Sequence, residues 1–168
     1  SRLERLPDMP GDAAALIEGT LAAARRGGTL LSSIAQINGS RSLRPTATDL
    51  SAMMQDLVTL AEPTLPASMS LTLHMPLLDT TLETVLLDRG MLQDGLLNLI
   101  LNARDAMGTS GNITLCVRRV HDIWIEFEVS DTGSGFSETA LTQALDPFFT
   151  TKGAEGSGLG LPMVYDMT

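Results

Sequence analysis

An α+β domain built as a two-layer sandwich, strands on one side and helices on the other, is what this sequence predicts, with a helical segment in front of it. Three observations carry that expectation. Apolar and polar residues alternate over Asn112 to Val120 and again over Ile123 to Val129, the period of two that half-buried strands require. The stretch from Asp88 to Gly108 has the length and punctuation of one long helix. Leucines and isoleucines recur at helical spacing over residues 13 to 38.

Taken in order, Pro7, Pro10 and Gly11 mark a turn, and Asp12 is a candidate N-cap for a helix over 13 to about 38 carrying Leu16, Ile17, Leu21, Ala24, Leu30, Leu31, Ile34 and Ile37. Gly27-Gly28 weakens its middle by roughly 1 kcal/mol per glycine, so tertiary or subunit contacts have to hold it. The polar run Asn38 to Pro45 reads as a linker, which sets a domain boundary between 44 and 45. Asp49 caps a second helix that runs to about Ala61, where Pro63 and Pro66 stop it. Ser70 to Met75 alternates as a strand with Leu71 and Leu73 on one face, and Thr84 to Leu87 is a shorter strand. Asp88 caps the long helix, which ends in Ala106-Met107-Gly108. In the strand after the next one, Ile123, Ile125, Phe127 and Val129 point inward and Trp124, Glu126 and Glu128 outward. Ser137 to Leu145 reads as a short helix, 146 to 158 as a loop, and a further helix begins at 159.

The 168 residues are 43% hydrophobic but only 4% aromatic, so leucine, alanine, isoleucine, valine and the nine methionines must fill the core. A net charge of −9 argues against a nucleic-acid partner, which calls for clustered Lys and Arg. Any phosphate bound here has to be met by backbone amides, a metal ion and few cations. The single cysteine, Cys116, lies in a strand and reads as a small buried hydrophobe, and a chain without a disulfide framework suits a reducing compartment. No apolar run approaches the roughly 20 residues that span a bilayer.

On the long helix, Asn98, Asn102 and Asp105 fall at i, i+4 and i+7, one polar stripe among Leu96, Leu97, Leu99, Ile100 and Leu101. An amide buried without a partner costs roughly 1–3 kcal/mol. The stripe is therefore either solvated surface, the commoner case, or bonded to a ligand. Two glycine-rich segments favour the ligand: Asp131-Thr132-Gly133-Ser134-Gly135 after a strand, and Gly153 to Leu161 before a helix. Alone, the first would be an ordinary turn and the second a flexible loop.

These segments resemble the catalytic, ATP-binding domain of sensor histidine kinases, within the wider group that includes the gyrase, Hsp90 and MutL ATPases. Asn98 to Met107 is similar to that family's N box, Asp131 to Gly135 to its first glycine box, Asp146-Pro-Phe-Phe-Thr-Thr-Lys152 to its F box, and Gly156-Ser-Gly158-Leu-Gly160-Leu to its second glycine box. The resemblance implies a Bergerat-type ATP-binding fold over 45–168 and a partial helical dimerisation and phosphoacceptor domain over 1–44. It also implies ATP and Mg²⁺ as cofactors.

Under that resemblance the side-chain carbonyl of Asn102 is the metal ligand, since Mg²⁺ takes hard oxygen donors. Asn98 faces the polyphosphate, and Asp105 meets the nucleotide or a metal-bound water. Asp131, an acceptor when ionised, takes a hydrogen bond from the adenine amino group, while Gly133 and Gly135 let the backbone approach the base. Gly156, Gly158, Leu159 and Gly160 offer backbone N–H groups and a helix start to the phosphates. Phe149, with Phe148, anchors a closing lid or simply packs in the core, and Lys152 neutralises phosphate or is merely solvated.

Hydrolytic relatives place a glutamate base one turn before the metal-binding asparagine, and here Asn98 stands there, unable to take a proton. The resemblance thus points to transfer of the γ-phosphoryl group to a histidine, and then to the aspartate of a response regulator receiver domain. The alternatives are a degenerate ATP-binding interaction module and, third, a gyrase-like or Hsp90-like ATPase. Neither His74, in a strand, nor His121, in a hairpin connection, resembles the acceptor, so no catalytic residue is expected within these 168. The acceptor histidine is expected about a helix length upstream, and two further strands are expected after Thr168. A homodimer through the helical segment and a cytoplasmic setting for this portion complete the expectations, membrane attachment depending on upstream regions. Ile34 to Arg41 departs from the apolar-aromatic, arginine-rich form usual at that point.

Overall fold

The computed structural model describes residues 17, 19, 20, 43–75, 84–121, 123–153 and 156–165. The chain divides into two units, 1–40 and 41–168. In the first unit Ile17, Gly19 and Thr20 are helical, with Ile17 half-buried. The remainder of the helix expected over 13–38, with Asp12 as its cap, lies outside the described residues.

The second unit opens with β1 (Thr46–Asp49), whose last residue caps α1 (Leu50–Ala61): the Asp49 carboxylate accepts from the Ala52 N–H at 2.8 Å. A 3₁₀ turn over Glu62–Thr64 holds Pro63 and ends the helix. Then come β2 (Met69–His74), β3 (Thr84–Leu87) and the long helix α2 (Arg89–Met107), capped by Asp88, which accepts from the Met91 N–H at 3.1 Å. Gly108, with φ 71°, breaks α2 in a backbone conformation that suits glycine. Next are β4 (Gly111–Val120), β5 (Trp124–Asp131), a short α3 (Glu138–Gln143) capped by Ser137, and α4 (Gly160–Tyr165).

β1 pairs antiparallel with β3 in a two-stranded sheet, and β2, β4 and β5 form a second sheet in that order. β2 runs parallel to β4, with Leu71 opposite Ile113 and Leu73 opposite Leu115, and β5 runs antiparallel, with Val129 opposite Leu115 and Phe127 opposite Val117. That register sets Leu71, Leu73, Ile113, Leu115, Val117, Phe127 and Val129 on one face. Against it lie Leu50, Met53, Met54, Leu57 and Ala61 of α1 and Leu96, Ile100 and Ala103 of α2, in one buried cluster. Helices cover one face of the sheet, as the two-layer expectation requires.

The departures are local. β1 was not expected: its four residues carry a single buried side chain, Thr48, and no apolar alternation. Ile123, expected inward, is 78% exposed because it sits in the turn before β5 begins. Cys116, expected buried, is half-buried, since its place between Leu115 and Val117 turns it to the face away from the helices. Among the described residues no helix is long and apolar enough to cross a membrane.

Candidate functional site

Because α2 places Leu96, Ile100 and Ala103 against the sheet, Asn98, Asn102 and Asp105 fall on its opposite side, roughly 180° away at 100° per residue. Each position on that stripe meets a different downstream segment. Near its start, Asn98 is half-buried under the first residue of α4: a Cβ on Gly160 would lie 2.5 Å from Asn98 Oδ1 and 2.6 Å from Nδ2. Only glycine lets the backbone come so close. The Asn98 Nδ2 is buried there without a hydrogen-bond partner, a donor held away from water at a cost of roughly 1–3 kcal/mol.

One turn on, the Lys152 ammonium donates to Asn102 Oδ1 at 3.0 Å and to Asp105 Oδ2 at 2.6 Å. Arg104 holds the other carboxylate oxygen, Asp105 Oδ1, through its Nη2 at 2.6 Å and its Nε at 2.8 Å, while its Nη1 reaches the Thr64 carbonyl at 3.3 Å. Partial burial pushes the Asp105 pKa up, but hydrogen bonds from Lys152 and Arg104 outweigh it, and the carboxyl titrates below its ordinary value. Arg104 was not among the expected residues, because neighbours at i and i+1 do not normally face each other on a helix. Its long stem nevertheless wraps back to Asp105.

At the C-terminal end of α2, the Ser134 N–H donates to the Ala106 carbonyl at 3.3 Å. Gly133 packs flat on that helix end, where a Cβ would lie 2.8 Å from the Ala106 carbonyl carbon and oxygen. The exposed Asp131 carboxylate accepts from the Gly133 N–H at 2.8 Å, closing a local turn. Gly135, with φ 67°, has open space around it.

Between Asp146 and α4, described residues on either side of 154–155 contact one another. The Phe148 N–H donates to the Gly158 carbonyl at 2.8 Å, and a side chain on Gly158 would run into the Phe148 backbone. Phe148 is 65% exposed, with φ 70°, and Phe149 is half-buried. Gly156 lies against Thr150. Leu159 is 1% exposed, so its side chain is an apolar anchor and only its backbone can face a ligand. The structure therefore lines α2 in sequence with Gly160 at Asn98, Lys152 at Asn102 and Asp105, and Gly133 at Ala106. Among the described residues no cluster of three or more His, Cys, Asp or Glu could hold a metal by itself.

Residues 87–168 match the family described as histidine kinase-, DNA gyrase B-, and HSP90-like ATPase. They belong to this family. The sensor kinase CckA of Brucella abortus (strain 2308) is 33% identical over 157 residues, which cover 84% of this chain and 16% of CckA. The sensor protein FixL of Bradyrhizobium diazoefficiens is 44% identical over 86 residues, covering 50% of this chain and 17% of FixL. The chain thus spans about a sixth of the length of these curated relatives. Among solved structures, the catalytic domain of the histidine kinase ThkA is 25% identical with a TM-score of 0.64, covering 74% of this chain and 79% of that one. Full-length ShkA in complex with AMPPNP, 20% identical, shares the fold with a TM-score of 0.79 over 95% of this chain and 34% of its own. The match begins at the last residue of β3, just ahead of α2, and takes in α2, β4, β5 and the segments that line the stripe.

Proposed function

We propose that this chain is the nucleotide-binding part of an ATP-dependent protein-histidine kinase of a two-component system. In this reading residues 45–168 bind Mg²⁺–ATP, residues 1–44 belong to a homodimeric helical domain, and the γ-phosphoryl group passes to a histidine supplied from upstream. A response regulator receiver domain then takes the phosphoryl group on an aspartate. The setting is the cytoplasm, which the free thiol of Cys116 suits.

The observation that carries the proposal is the want of a competent base on the α2 stripe. Asn98 occupies the position one turn before Asn102, and an amide takes no proton at neutral pH. Of Asn98, Asn102 and Asp105 only Asp105 is a carboxylate, and it is bound on both oxygens and held below the ordinary carboxylate range, which makes it a weak base. Such a site positions ATP without activating water, and phosphoryl transfer needs positioning and charge stabilisation above all.

Mg²⁺ fits the donors present. The Asn102 carbonyl oxygen and the Asp105 carboxylate are hard oxygen ligands that already converge on one cation, the Lys152 ammonium. When bound, the metal would neutralise charge on the transferring phosphoryl group. Around it, the unsatisfied Asn98 Nδ2 is a donor for a phosphate oxygen, the Asp131 carboxylate an acceptor for the adenine amino group, with Gly133 and Gly135 beside the base. Gly156, Gly158, Leu159 and Gly160 bring backbone amides to the phosphates, and Phe149 steadies the loop that carries them.

The test is to incubate the protein and its upstream helix with ATP labelled at the γ-phosphate. An acid-labile phosphoprotein is expected. Acid-stable phosphate or steady release of inorganic phosphate refutes the kinase reading, and binding without transfer points instead to an interaction module.

A further inference from the structure

We propose that Lys152 is an internal stand-in for the metal ion, its ammonium occupying in the nucleotide-free protein the place on Asn102 and Asp105 that the cation of the metal–nucleotide complex takes. This rests on the nucleotide-binding reading of the α2 stripe. Lys152 Nζ lies 3.0 Å from Asn102 Oδ1 and 2.6 Å from Asp105 Oδ2, so one compact positive charge bridges both oxygen donors. Arg104 takes only the far oxygen, Asp105 Oδ1, and does not block the bridge. A divalent cation seeking the same oxygens cannot share them with an ammonium at that distance, because the two charges repel at contact range.

The rest of the segment supports the same state. Gly160, eight positions after Lys152, presses on Asn98 and leaves its Nδ2 buried and unsatisfied. A buried donor without a partner is what a site looks like when the anion it serves is replaced by protein backbone. Both functions of the stripe, cation and anion binding, are thus met or covered, the one by Lys152 and the other by Gly160, and loading metal and nucleotide together displaces both.

The experiment measures Mn²⁺ binding to the whole 168-residue chain, without nucleotide, by the electron paramagnetic resonance of the free ion. Lys152→Met is expected to tighten Mn²⁺ binding about three-fold or more, the order of one half-exposed charge pair, whereas Lys152→Arg keeps the weak binding of the parent. Unchanged or weaker binding in Lys152→Met overturns the proposal and leaves Lys152 as a simple surface or phosphate-facing cation. A second measurement uses the unaltered protein, so it does not depend on a variant that folds. The rate at which an amine-acylating reagent modifies Lys152 should rise several-fold on adding Mn²⁺ alone, and a constant rate refutes displacement. Failure of the unaltered protein to bind an ATP analogue at any Mg²⁺ concentration would instead remove the nucleotide reading.

Discussion

Replacing Gly133 by alanine tests whether the first glycine-rich segment is glycine-rich for the sake of the protein's own packing. The added Cβ would stand 2.8 Å from the carbonyl carbon and oxygen of Ala106 and 2.8 Å from Asp131 Oδ1. Ordinary contact begins near 3.4 Å, so the turn must lift from the helix end by at least about 0.6 Å. Ala106 is helix backbone and cannot rotate aside as a side chain would. Overpacking of this kind costs about 1–3 kcal/mol. The lift also stretches the Ser134 N–H bond to Ala106 and the Gly133 N–H bond to Asp131, each contributing about 1 kcal/mol. Part of both losses is the same motion, so Gly133→Ala should destabilise by about 2–3 kcal/mol, lowering Tm by roughly 4–12 °C for a chain of this size. Thermal unfolding followed by circular dichroism measures it. Gly135→Ala is the control: no atom lies within 4 Å of its Cβ, and only φ 67° resists, a conformational cost of about 1–2 kcal/mol. If Gly133→Ala melts within a degree of the parent, or no lower than Gly135→Ala, the packing argument is wrong.

Truncating Leu159 to alanine should cost about 2–5 kcal/mol, because the side chain is 1% exposed; denaturant unfolding checks this, and a loss under 1 kcal/mol would show a pliable loop there. Asp105 makes stability depend on pH in the acid range. Its folded pKa lies below the ordinary 3.8, so its contribution is complete above that value and disappears as pH falls through the folded pKa. Carboxyl ¹³C resonances should show Asp105 titrating below 3.8, with the midpoint moving up in Lys152→Met; a midpoint at or above 3.8 in the parent contradicts the bridge.

The parts legible in the sequence are those that neighbouring residues decide. Asp49 and Asp88 announce themselves as caps because a short carboxylate before an apolar run can reach an N–H three residues on, and both do. The alternation of Ile113, Leu115 and Val117 names the buried face of β4 without knowledge of its partners. β1 was invisible for the converse reason: Thr46–Asp49 is a strand only because β3, from Thr84 onward, offers it hydrogen bonds. The candidate site divides along the same line. The asparagine stripe could be read from helical periodicity alone, and the glycine segments from their spacing. What those glycines are for could not, since it is set by the atoms they meet: Gly160 by the amide of Asn98, Gly133 by the carbonyl of Ala106. Lys152 shows the difference most sharply. In sequence it is a lysine after two threonines, equally suited to solvent or to phosphate. The fold closes a gap of 50 residues and sets its ammonium on Asn102 Oδ1, the oxygen expected to hold a metal, and on Asp105 Oδ2, so its first partner is the protein itself. The competition between that ammonium and a divalent ion is therefore where the local chemistry of the stripe and the long-range fold can be measured together.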